Sequence, residues 1–88
     1  MGENGSELLT PTLIRAARAL LRFDQATLAA KTGISTKTVG LIETMESVPT
    51  DARRRRILEE LRTKMENELD VEFIFGGPNT GEGVRLRR

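Results

Sequence analysis

The chain contains no cysteine and no histidine. Disulfides are therefore excluded, as are thiolate and imidazole metal sites and any catalysis by Cys or His. No metal and no cofactor are expected. Enzyme chemistry is equally out of sight. Glu59 and Glu60 have no partner set for acid–base work, and no Gly-rich phosphate loop follows a strand. No apolar run approaches the length of a membrane span. The opening MGENGSELLT is too acidic and polar for a signal peptide. These absences lead to the expectation of a soluble, cytoplasmic protein with no membrane partner.

What is present is short and basic in one place. The 88 residues make one domain. A domain of this size buries a modest core and often gains from oligomerising. The net charge of +1 conceals a partition. Residues 1–10 hold two acids and no base, residues 11–62 hold ten Lys/Arg against six Asp/Glu, and residues 63–88 hold four bases and five acids. The positive charge is concentrated in the central segment.

Residues 1–9 read as a flexible Gly/Asn/Ser/Glu-rich tail. Thr10-Pro11 is a helix start, with Thr as cap and Pro at the first helical position. TLIRAARALLRF then places Leu13, Ile14, Ala17, Leu20 and Leu21 on one face, with Arg15, Arg18 and Arg22 largely off it. Asp24 caps a second helix, QATLAAK, with Leu28 and Ala29 inward. Gly33 ends it in a left-handed conformation. Ser35 caps a third helix, TKTVGLIET, with Val39 and Ile42 inward. After the loop MESVPT, Thr50 is expected to cap a fourth helix, DARRRRILEELRTKMENEL, with the apolar row Ile57, Leu58, Leu61, Met65 and Leu69. Beyond Asp70 the period changes to two: VEFIF is a strand, GGPNTGEG a turn-rich connector, and VRLRR a second short strand.

Two short helices joined by a tight turn pack at a steep angle. One can brace while the other enters the DNA major groove, which is wide enough to take it. The entering face must be polar. Ser35, Thr36, Lys37 and Thr38 at the restart meet that need, Ala29 permits close helix approach, and Gly33 permits the turn.

LIRAARALLRFDQATLAAKTGISTKTVGLIE resembles the XRE, or Cro and lambda-repressor-like, helix-turn-helix family of bacterial and phage transcriptional regulators. The resemblance covers roughly residues 13–49. Gln25, Leu28-Ala29, Gly33, Ser35, Thr38-Val39 and Ile42-Glu43 stand where the family pattern has them. It implies that Arg18 bonds Glu43 across the first and third helices, and that Gln25 contacts DNA. It places Arg53 and Arg54 where relatives touch the phosphate backbone. Arginines near a helix N-terminus oppose its dipole, so the run Arg53–Arg56 does not serve helix stability. Arg55 or Arg56 can instead pair with Glu59 or Glu60 one turn on. Two departures stand out. Gly40 lies on the solvent side of the recognition helix. Leu41 occupies a position that is often polar and base-reading in relatives, where a leucine could touch a thymine methyl. The fifth helix usual in the family is replaced by a longer fourth helix and two strands.

The fold expected is mainly α: a lambda-repressor-like bundle of four helices at 10–69, with a C-terminal strand pair or β-hairpin at 70–88. The function expected is that of a sequence-specific regulator, a repressor, bound as a homodimer to a (pseudo)palindromic operator. Thr36 and Lys37 would read bases, with Leu41 on a methyl group. Gln25, Ser35, Thr38, Arg53 and Arg54 would hold phosphates. Val71, Phe73, Ile74, Phe75, Val84 and Leu86 would make the dimer, with the strands pairing either within or between subunits. Two rival readings are an antitoxin-like or adaptor protein that grips another protein through its C-terminal segment, and a purely structural interaction domain.

Overall fold

Four side chains that can accept a backbone N–H start four helices. In the computed structural model, which describes residues 7–87, the Thr10 hydroxyl accepts from the Leu13 N–H at 3.1 Å and opens α1, Pro11–Leu21. The Asp24 carboxylate accepts from Thr27 at 2.7 Å and opens α2, Gln25–Thr32. Ser35 accepts from Thr38 at 3.1 Å and opens α3, Thr36–Ile42. Each bond satisfies one of the donors that a helix N-terminus leaves unpaired. The fourth start differs from the expectation by one residue. Asp51, not Thr50, accepts from the Arg53 N–H at 3.0 Å and opens α4, Ala52–Glu68.

Between α1 and α2 the chain turns at Arg22, with φ 59°, and between α2 and α3 at Gly33, with φ 77°. Gly33 adopts that left-handed conformation without the side-chain strain another residue would carry. The two short helices pack directly on each other.

The core draws on every element. Leu13, Ile14 and Ala17 of α1 meet Leu28 and Ala29 of α2, Val39 and Ile42 of α3, and Leu58, Leu61 and Met65 of α4. Leu20 lies on the expected stripe yet is exposed, whereas Leu21 packs against the core. Ile57 and Leu69, at the flanks of the α4 row, are half-buried. Leu9 departs from the expected tail: it is only 2 % exposed and belongs to the core. Residues 1–6 of that tail lie outside the described residues, as does Arg88 of the second strand.

After a left-handed turn at Asp70, with φ 57°, β1 spans Val71–Ile74 and pairs antiparallel with β2, Gly83–Leu86. The register Val71↔Leu86, Glu72↔Arg85, Phe73↔Val84 and Ile74↔Gly83 decides between the two pairing schemes: the strands form a hairpin within one chain. Val71, Phe73, Val84 and Leu86 share its inner face, with β1 packed on α4 and β2 on α1. The outer face carries Ile74 and an ion pair, Arg85 Nε to Glu72 Oε1 at 3.0 Å. The long connector is itself folded. Gly77 and Thr80 bridge around Pro78-Asn79, and the Thr10 hydroxyl donates to the Glu82 carboxylate at 3.0 and 3.1 Å. The architecture is thus a mainly α four-helix fold closed by a C-terminal β-hairpin.

Candidate nucleic-acid interface

α3 is seven residues long, too short to hold its own shape in water. It is held from behind. Val39 and Ile42 are fully buried, and Glu43, the residue that ends the helix, is 2 % exposed. Three side chains converge on Glu43. Arg18 donates from Nε to Oε2 at 2.7 Å and from Nη2 to Oε1 at 2.9 Å. Gln25 donates from Nε2 to Oε1 at 3.1 Å. Arg15 donates to the Glu43 backbone carbonyl, placing a cation at the negative end of α3. Arg18 also donates from Nη1 to the Phe23 carbonyl at 3.1 Å, which ties in the α1–α2 turn.

This network sets the electrostatics of Glu43. Burial alone pushes its carboxyl up. The bonds from Arg18 and Gln25 and the charges of Arg18 and Arg15 outweigh burial and hold it below the usual carboxylate range. The bond to Glu43 in turn raises the Arg18 guanidinium above its ordinary value, against a smaller effect of burial.

The pairing of Arg18 with Glu43 implied by the resemblance is present. Gln25 has a role the sequence did not disclose, since its amide is part of the same clamp. Arg15 was missed altogether. The one available signal was its place three residues before Arg18, along one side of α1. Gly40 is also placed differently. It is half-buried, and a Cβ built on it would lie 3.7 Å from Gln25 Oε1, an ordinary contact. Gly40→Ala is therefore expected to stabilise the protein by about 0.5–1 kcal/mol, the usual cost of glycine within a helix. Chemical denaturation checks this. A loss of stability would mean that Gln25 is displaced.

The opposite face of α3 is open. Thr36, Lys37, Leu41 and Thr44 are exposed. The Ser35 hydroxyl is engaged as the cap and also donates to Thr38 Oγ1 at 2.9 Å. Thr38 of α3 and Arg53, Arg54 and Ile57 of α4 line one cleft with the capping Asp51. Among the described residues, the Lys37, Arg53 and Arg54 side chains make no ion pair or hydrogen bond, whereas Arg15, Arg18, Arg62, Arg85 and Arg87 are all engaged. Arg55 donates to the Pro49 carbonyl at 3.1 Å and steadies the loop between α3 and α4. Arg56 makes no ion pair with Glu59 or Glu60.

The residues expected to make a dimer are divided by the hairpin. Val71 and Phe73 are buried, and Val84 and Leu86 pack on the protein's own helices. Phe75 is half-buried beneath the Arg62 guanidinium, 4.6 Å from its ring centre. Ile74 alone of the six is exposed, at 40 %. Among the described residues there is no cluster of metal-ligating side chains, and no helix is long and apolar enough to cross a membrane. No family model matches the sequence, and no curated protein matches it.

Proposed function

We propose that this protein is a sequence-specific DNA-binding transcriptional regulator of the XRE type, working in the cytoplasm as a repressor. The observation that carries this reading is the two-sided character of α3. Its inner end is clamped through Glu43 by two arginines and a glutamine. Its outer face presents Thr36 and Lys37 with no competing partners, beside a cleft lined by Thr38, Arg53 and Arg54. A helix fixed before the ligand arrives binds with less loss of freedom on association. Lys37 and Thr36 read base edges, and Arg53, Arg54 and Thr38 hold the phosphates. A two-fold operator calls for a homodimer. Ile74 and the open strand edges are what the hairpin offers for it, since the inner face is already used. The same exposed surface favours the second reading, an antitoxin-like or adaptor protein that holds another protein through its C-terminal segment.

Selection of bound duplexes from a random pool, followed by affinity measurement across salt, tests the proposal. Log affinity is expected to fall linearly with log salt, with a slope of roughly −0.9 per phosphate contact. Arg53→Ala should flatten that slope by about one unit and weaken all sequences alike. Lys37→Ala and Thr36→Ala should each lose about 1–3 kcal/mol on the selected site and relax preference at one position. Their melting temperatures should stay near that of the wild type, because exposed sites change stability by less than about 0.5 kcal/mol. A salt slope near zero would exclude the regulator reading.

A further inference from the structure

We infer that a second copy of this chain docks in the cleft between the C-terminal ends of α1 and α4. Each copy's Leu20 is then covered by the other, and each Arg22 faces the partner's Asp70. The inference rests on the regulator reading only for its call for a homodimer, and names a different face from the outer side of the hairpin. The cleft has a volume of about 360 Å³. Leu20, Leu21 and Phe23 line it from the end of α1 and the following turn, and Leu69 and Leu86 complete its apolar lining. Leu21, Phe23, Leu69 and Leu86 are only partly buried, and Leu20 is 44 % exposed. The hairpin's outer face offers one exposed apolar side chain, Ile74, beside the Glu72–Arg85 ion pair. Apolar side chains gathered at one place mark an association surface, whereas single ones do not.

The charges at the cleft select the occupant. Arg22, Glu68 and Asp70 also line it, and all three are exposed. Among the described residues, the Arg22 and Asp70 side chains make no hydrogen bond or ion pair, and Glu68 reaches Lys64 only at 3.8 Å. Arg22 and Asp70 are also the two non-glycine residues with positive φ among the described residues. A left-handed turn favours glycine, and residues strained in this way gather at binding sites. Both turns open on the same cleft, and they carry charges of opposite sign. A rim of one sign would suit a partner of the other. This one holds both signs around an apolar lining, so it complements a copy of itself. A two-fold interface has that property: one residue meets a second on the partner, and the second meets the first. The cleft shares no residue with the one lined by Thr38, Arg53 and Arg54, so filling it leaves that lining free.

Sedimentation of the full chain without DNA tests the inference. The wild type is expected to dimerise in a concentration-dependent way. Leu20→Glu should weaken self-association by about a hundredfold, since two apolar side chains per dimer lose their cover. Arg22→Asp and Asp70→Arg should each weaken it about tenfold, through two like-charge pairs per dimer. An equimolar mixture of these two variants should recover the dimer, because each copy then brings the charge that the other lacks. Arg22→Gly should also weaken the dimer, yet the dilute chain should melt no lower than the wild type, because the turn is relieved of strain. Ile74→Lys should leave the dimer intact. A wild type that sediments as a monomer at every concentration overturns the inference. So do cleft variants that dimerise like the wild type, a mixture that stays monomeric, or a dimer broken by Ile74→Lys alone. In each of these cases, binding of the wild type to a selected duplex keeps the regulator reading. Failure to bind any duplex, with the dimer responding as expected, removes that reading and leaves the dimer.

Discussion

Removal of everything after Asp70 is expected to unfold the protein, not to release a folded monomer. The hairpin looks like an appendage in the chain order, and a regulator that dimerises through it would be expected to survive its loss. Its inner face argues otherwise. Val71 and Phe73 are as buried as the helix core, against α4, and β2 lies on α1. Burial of a side chain of this kind contributes about 1.5–3 kcal/mol, so these two account for about 3–6 kcal/mol. The whole stability of a small domain is about 5–15 kcal/mol. Truncation would also uncover the side of α4 on which β1 packs. Far-ultraviolet circular dichroism of the truncated chain checks this. A cooperative melt within a few degrees of the full-length protein would show that the four helices suffice. Dimerisation is better tested by Ile74→Lys, which alters the outer face and leaves the core intact.

Loss of the Glu43 carboxylate is expected to be the most damaging single change in the helical part. Glu43→Ala removes the acceptor of Arg18 and Gln25 together and leaves a partly buried guanidinium without its partner. Breaking one side of a buried pair costs about 3–5 kcal/mol. Arg18 retains some contact with water, so the lower end applies, about 3 kcal/mol. A double-mutant cycle with Arg18→Ala should give a coupling above the about 0.2–1 kcal/mol of exposed pairs. Additive losses would dismiss the clamp.

The same group predicts the acid limb of stability. Its folded-state carboxyl lies below the ordinary value, so its contribution is complete above the unfolded value of about 4.3 and is lost as pH falls through the folded one. Stability should be flat through neutral pH and fall below about pH 4. Glu43→Gln should make that fall shallower. It should not abolish it, because Asp24, held low by the Thr27 bond, and Glu72, held low by Arg85, titrate in the same direction.

The helix starts at Thr10, Asp24 and Ser35 and the stop at Gly33 were legible because capping is decided within a few residues. Thr50 and Asp51 show the limit of that reading. Both side chains can accept a backbone N–H, and only the path of the loop selects Asp51. The inward use of Gln25 was not legible, because it depends on where Glu43 arrives from a different helix. Leu9 was read as part of the tail because the stretch before it is rich in Gly, Asn, Ser and Glu, whereas it belongs to the core. The strands were visible as a change of period, but their partner was not. An alternating segment states which residues share a face and leaves open whether its mate lies in the same chain.

The hydroxyl of Thr10 and the carboxylate of Glu82 are 72 residues apart in the chain, yet they touch. The first helix therefore finds its final neighbour almost last. During synthesis at about 5–20 residues per second, roughly sixty residues must follow α1 before β2 exists, a wait of about 3–12 s. Through that interval α1 lacks the contacts that β2 supplies, while the locally connected α2–α3 pair is free to form at once. The nascent chain thus has its α2–α3 pair assembled early, on a scaffold that is completed only when the hairpin docks.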